Sequence, residues 1–200
     1  PAILDWDAGP NPIAAAATSK VCMNQKLATI SALLGVLLTA DIVTKKWALD
    51  ELSHGFSTSI FGGFVPTTLT FNRGVAFGFG VGVWAWFIIA GTVLVLCALS
   101  VLLYQARHDD TLRIWSLGAV MAGALGNLID RVRWDRGVVD FIGPFDLGPV
   151  LFPIFNVADM AITVGALALA VSLWLEERQE AAAPAIEPAA VESPPTTDLA

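Results

Sequence analysis

Five short polar stretches interrupt an otherwise apolar sequence, and they hold its residues best suited to chemistry. Asp41 precedes Lys45 by one helical turn. Asn72-Arg73-Gly74 follows an alternating segment. Gly126-Asn127-Leu128-Ile129-Asp130-Arg131, Val138-Val139-Asp140-Phe141 and Phe155-Asn156-Val157-Ala158-Asp159 lie close together further on. Two neighbouring carboxyl groups cannot both ionise comfortably, so they share a proton. The ionised one can take a proton from water while the protonated one donates to a carbonyl oxygen. Such a pair works without metal or other cofactor, and none is expected here. Asparagine amides beside it can hold substrate carbonyls and the acids themselves, and an arginine can grip a phosphate or carboxylate through two N–H groups. No competing chemistry stands out: there is no His/Cys cluster at metal-ligand spacing, no serine with a plausible base and no Gly-rich phosphate loop. His54 reads as an ordinary loop residue and His108 as a solvated turn residue. Cys22 and Cys97 are too few for a disulfide scaffold; Cys97 reads as a small packing residue within a span.

The elements that must position these groups are membrane helices. Over 200 residues, 56% are apolar and 14% charged, against about 25% charged in soluble domains. The net charge of −7 reflects acids concentrated in the two ends, and no basic surface suggests nucleic acid. The expected architecture is a membrane all-α fold with a small β insert. Residues 1–25 read as a disordered tail, since 1 to about 20 carry no helical or strand period. A transmembrane domain covers 26–178, and an Ala/Pro/Glu/Thr-rich tail covers 179–200. The spans fall at about Leu27–Leu49, Val83–Tyr104, Leu112 or Ile114 to the region of Asp130, and Ile154–Leu175, against a hydrocarbon core of roughly 30 Å. Trp47, Trp84, Trp86, Trp115 and Trp174 sit where interface anchors belong. Gly118, Ala122, Gly123 and Gly126 would let the third helix approach its neighbours closely.

Between the first two spans, Leu69, Phe71, Val75, Phe77 and Phe79 alternate with smaller or polar residues around Asn72-Arg73-Gly74. That pattern predicts a small β-hairpin or sheet on one membrane face, packed on helix ends or lipid. Residues 132–153 form a connection too apolar to float free, so it should skim the interface or cover helix ends. Asp146 there reads as a solvated loop residue.

With four spans, parity alone brings Asp41, Lys45, Asn72, Asn127, Asp130, Arg131, Asp140, Asn156 and Asp159 to one membrane face. Ionisable groups at membrane depth are costly and usually functional. Lysines and arginines divide five against six between the two faces, so charge alone does not orient the chain. By residue chemistry, Asp130 is as good a partner for Asp159 as Asp140 is, and the adjacent Arg131 suggests an ion-paired supporting role for it.

The five stretches, in this order on a four-span frame, closely resemble the lipoprotein signal peptidase (signal peptidase II) family of bacterial inner-membrane aspartic proteases. The resemblance covers roughly residues 26 to 175. It implies four transmembrane helices with both tails cytoplasmic and a periplasmic β-cradle at about 53–80. It implies an endopeptidase that removes signal peptides from diacylglyceryl-modified prolipoproteins by cutting before the lipidated cysteine. Expected partners are prolipoprotein substrates, membrane phospholipids and globomycin-type inhibitors. By motif, the resemblance makes Asp140 and Asp159 the catalytic dyad. Asn72, Asn127, Arg131 and Asn156 become polar site residues, with Asp41, Lys45 and Asp130 as supports. Arg73 departs from the family pattern, where a smaller residue is common.

Two other classes compete. A small transporter would also place Asp, Asn and Arg in the membrane, but here the acids gather at one face, with no polar ladder through spans two to four. A structural subunit would use the same groups only as helix contacts.

Overall fold

The computed structural model describes residues 12–52, 57–74 and 83–182. Helix α1 runs Pro12–Glu51, α2 Val83–Gln105, α3 Thr111–Arg133 and α4 Val157–Ala182. Among the described residues, four helices are long and apolar enough to cross a membrane: Met23–Glu51, Ala85–Gln105, Thr111–Arg133 and Val157–Ala182. Helix α3 is the most enclosed, with α1, α2 and α4 all packed against it.

Small residues make this packing possible. A Cβ on Gly123 would strike the Ala158 carbonyl oxygen of α4. One on Gly165 would lie 2.9 Å from the Ser116 carbonyl oxygen, and one on Gly118 would lie 2.9 Å from Leu33. Close backbone approach of this kind is what draws helices together in lipid, where burial of apolar surface gives no net drive.

Helix α1 begins earlier than the sequence reading placed it. Residues 12–25, read as part of a disordered tail, are helical. The run Ala14–Ala17 has no amphipathic period, but its helix propensity is the highest available, and Pro12 occupies the first helical position, where a missing N–H costs nothing. At the other end, α4 continues to Ala182, slightly past the expected boundary. Cys97 is exposed on α2 rather than packed.

The β insert forms a small antiparallel sheet, as expected, but one of its strands comes from elsewhere in the chain. β1 (Ser57–Ile60) pairs antiparallel with β2 (Val65–Asn72), and β2 pairs antiparallel with β3 (Val138–Ile142). β3 was expected to be connection; instead it completes the sheet across more than sixty residues of chain. The predicted partner segment with Val75, Phe77 and Phe79 lies outside the described residues, as does His54. The turn itself is present: Gly74 has φ +71° and its N–H donates to Asn72 Oδ1 at 2.8 Å. A two-stranded hairpin of β4 (Phe145–Asp146) and β5 (Leu151–Phe152) follows, with Asp146 exposed as expected.

The sheet rests on the end of α1, as a small sheet must to be stable. Ala48 and Leu52 of α1 join Leu69, Val139 and Phe141 in one buried cluster. Trp47 belongs to it too, its ring 6.0 Å from that of Phe141 in an edge-to-face arrangement, so it is not a free interface anchor. Trp86, Trp115 and Trp174 are exposed on their helices.

Candidate active site

Helix α4 begins with a reciprocal cap. Asn156 precedes its first residue, and Asn156 Oδ1 accepts the Asp159 N–H at 2.9 Å while Asp159 Oδ2 accepts the Asn156 N–H at 3.2 Å. This is the capping-box arrangement, with Asn and Asp in place of Ser/Thr and Glu. It makes Asp159 a side chain fixed at a helix N-terminus, where negative charge is favoured. The Ala158 N–H, another donor without a partner inside the helix, goes to Asp41 Oδ1 of α1 at 2.9 Å.

Asp140 arrives from the sheet. In β3 it stands opposite Thr70, while Val138 stands opposite Asn72. Asp140 is 2% exposed. Asn156 Nδ2 donates to Asp140 Oδ1 at 2.6 Å, and the Asn72 side chain also bonds this carboxyl. Burial pushes the Asp140 carboxyl up to about 6, and the charge of Asp159 pushes the same way; the two asparagines and Lys45 oppose the rise.

Two amides tie the acids together. Asn127 Nδ2 of α3 donates to Asp159 Oδ1 at 2.7 Å, and Asn127 Oδ1 accepts from Asn156 Nδ2 at 3.1 Å. The chain of contacts therefore runs Asp159, Asn127, Asn156, Asp140 without a gap. Asn127 Oδ1 also accepts from Lys45 Nζ at 3.1 Å. That ammonium lies 2.7 Å from Asp41 Oδ2 and 3.0 Å from Asp130 Oδ2, so one buried cation is ion-paired with two carboxylates while it donates to the Asn127 amide oxygen. Asp130 Oδ2 in turn accepts the Val139 N–H at 3.2 Å, which pins β3 beside Asp140.

Asp130 is thus ion-paired, but with Lys45 of another helix and not with its neighbour Arg131. Successive helical residues point about 100° apart. Arg131 donates to the Asn127 carbonyl oxygen at 3.3 Å, and its Nε is buried with no hydrogen-bond partner among the described residues. Its charge acts on Asp140 and Asp159. It also lines a cavity of about 450 Å³ with Arg73, Trp86 and Trp134, between α2 and the end of α3.

The profile described as Signal peptidase (SPase) II matches residues 33–175. The chain belongs to the signal peptidase II family. It is 38% identical over 149 residues to the lipoprotein signal peptidase of Hydrogenovibrio crunogenus, covering 72% of this chain and 85% of that protein. It is 39% identical over 150 residues to the one from Ectopseudomonas mendocina, with 73% and 88% covered. Two solved bacterial membrane enzymes share the fold. One has a TM-score of 0.66 and 31% identity, covering 73% of this chain and 92% of its own. The other has a TM-score of 0.68 and 29% identity, covering 78% and 94%. Signal peptidases II are proteases of multi-pass membrane architecture that act on prolipoproteins.

Within this family member, Asp41, Lys45, Asn127, Asp130, Asp140, Asn156 and Asp159 form one connected network; Asn72 and Arg131 border it. Sequence reasoning left two participants out of the site, although it read Gly126 as a small residue for close helix approach. Gly126 has no side chain to obstruct Asp41, whose Oδ2 would lie 2.6 Å from an added Cβ. The Ala158 N–H is the other; the Asn-x-x-Asp spacing, read as a capping box, would have flagged a helix start there and its unpaired donors. Among the described residues, no three of His, Cys, Asp and Glu gather as metal ligands.

Proposed function

We propose that the chain is an aspartic endopeptidase that removes the signal peptide from diacylglyceryl-modified prolipoproteins, cutting before the lipidated cysteine. Asp140 and Asp159 are the catalytic pair. Asp140, raised to about 6 by burial and by its partner's charge, is the acid that donates to the scissile carbonyl oxygen. Asp159 takes the proton of the attacking water, after which the proton passes to the leaving amine. Asn127 and Asn156 hold the two carboxyls in register, Asn72 and Arg131 face the substrate, and Asp41, Lys45 and Asp130 keep α1, α3 and β3 in place. The site lies near the periplasmic face of a bacterial inner membrane, with both chain ends cytoplasmic, and it is inhibited by globomycin-type peptides. The observation that carries this reading is the unbroken chain of amide contacts joining the two carboxyls, against a background of family membership.

The test is cleavage of a lipidated prolipoprotein by purified protein in detergent, without added metal. Asp140→Asn and Asp159→Asn are each expected to abolish cleavage while the protein stays folded. Asp130→Asn is expected to retain it, because an amide oxygen can still accept the Val139 N–H. Full activity in either dyad variant would remove that residue from the chemistry.

A further inference from the structure

The opposite end of the bundle holds a second polar cavity. Lys26 on α1 stands roughly 22 Å from Asp41 along the helix axis, at about 1.5 Å per residue. Near it, a cavity of about 500 Å³ is lined by Gln25, Lys26 and Thr29 of α1 and by His108, Thr111 and Trp115 of the α2–α3 turn and α3. Lys26 is 7% exposed, and its ammonium donates to the Ala106 carbonyl oxygen at 2.7 Å and that of Tyr104 at 3.4 Å. Those bonds hold a buried positive charge at the cavity wall and leave its third N–H for a ligand.

The acids nearby are turned to other tasks. Asp109 is paired with Arg107 at 3.0 Å. Asp110 accepts the Arg113 N–H at 3.0 Å, and Arg113 bridges to Glu176 at 2.9 Å. Among the described residues, no carboxylate lines the cavity. What it presents is a cation, an amide, two hydroxyls and an imidazole. The indole of Trp115, half exposed, lies beside them near the start of the third span, where such rings commonly anchor a helix at the membrane interface. Immediately beyond Lys26, Ile30, Ala106 and Ile114 form a buried apolar cluster with Leu34 and Leu103 packed on it. A polar, positively charged mouth opening at the end of apolar spans suits an anionic headgroup whose acyl chains run along the helices. Basic pockets between transmembrane helices hold lipid phosphates in this way.

We propose that this cavity binds the phosphodiester headgroup of an anionic phospholipid. The orientation adopted above puts that lipid in the cytoplasmic leaflet; the site itself does not depend on the peptidase assignment.

Native mass spectrometry and thermal unfolding of the full-length protein in neutral detergent would test it with phosphatidylglycerol, phosphatidylcholine and inorganic phosphate. Phosphatidylglycerol is expected to bind about tenfold more tightly than phosphatidylcholine, from the lysine charge and the surrounding donors. Lys26→Gln and His108→Glu should each weaken it by about fivefold or more. Because Lys26 also caps α2, His108→Glu, at an exposed residue, decides the matter if the lysine variant does not fold. His108→Glu should leave cleavage of lipidated substrate in detergent unchanged, which separates this site from the peptidase reading. Equal binding of the two lipids, full competition by inorganic phosphate, or undiminished phosphatidylglycerol binding by His108→Glu would each overturn the proposal.

Discussion

Replacing Asp140 by asparagine separates the catalytic role proposed for this carboxyl from its effect on stability. The group is 2% exposed and its pKa is raised from the ordinary 3.8 to about 6. The folded protein therefore holds this proton more tightly than the unfolded chain does. The stability that the neutral acid contributes is complete below about pH 3.8 and is lost as pH rises through about 6. Roughly two pKa units at 1.36 kcal/mol each make the folded state about 3 kcal/mol less stable at pH 8 than it would be without that ionisation. Asparagine carries no charge at any pH, and its Oδ1 can still accept from Asn156 Nδ2, now 2.6 Å from Asp140 Oδ1. Asp140→Asn should thus unfold several degrees above the wild type at pH 8, and the gap should close towards pH 4. Thermal unfolding in one detergent across that pH range measures it, with cleavage assayed in parallel. Loss of activity with a gain in stability is the signature of a group held in a strained electrostatic position for function. A variant less stable than wild type at pH 8, or a gap that does not change with pH, would refute this account of the site.

Asp159→Asn should move stability the other way. Asp159 Oδ1 accepts from the Asn127 side chain of α3 and Oδ2 from the Asn156 N–H at the helix start; an amide keeps only one acceptor, so a loss of about 1 kcal/mol is expected in thermal unfolding at neutral pH. Gly126→Ala should cost about 1–3 kcal/mol by forcing Asp41 off its position, since the new methyl would lie 2.6 Å from Asp41 Oδ2. In an Asp41→Ala background, the same change should cost less than about 1 kcal/mol, and additive effects in that double-mutant cycle would show the glycine to serve helix packing alone.

The helices and the gathering of polar residues were legible because lipid punishes misplaced charge, so apolar run lengths and chain parity carried the information. The third strand was not. Val138-Val139-Asp140-Phe141-Ile142 is buried almost throughout, so it lacks the alternation that marks a half-exposed strand, and its partner lies far back in the chain. The start of α1 was missed because a uniform alanine run is silent in periodicity and speaks only through propensity. Trp47 was misjudged for a different reason. An indole at a span's end reads as an interface anchor, and only the arrival of Phe141 from β3 gives it an interior partner.

The same asymmetry explains why the two aspartates look alike in sequence and differ in the fold. Asp159 belongs to a local motif: the four residues Asn156 to Asp159 at one helix start, closed on themselves by two hydrogen bonds. Its placement is secured as soon as α4 forms. Asp140 has no such local constraint. Its strand is located by Asp130 through the Val139 N–H, by β2 through the sheet register, and by Asn156 through the carboxyl itself. Asp130 in turn is fixed by Lys45, and Lys45 by Asp41 and Asn127. A side chain held by so many separate segments can be kept in a buried position that raises its pKa, because no single rotation relieves it. One acid fixed locally and one fixed by the tertiary structure give a pair whose environments differ, and in the proposed mechanism that difference lets one donate a proton while the other accepts it.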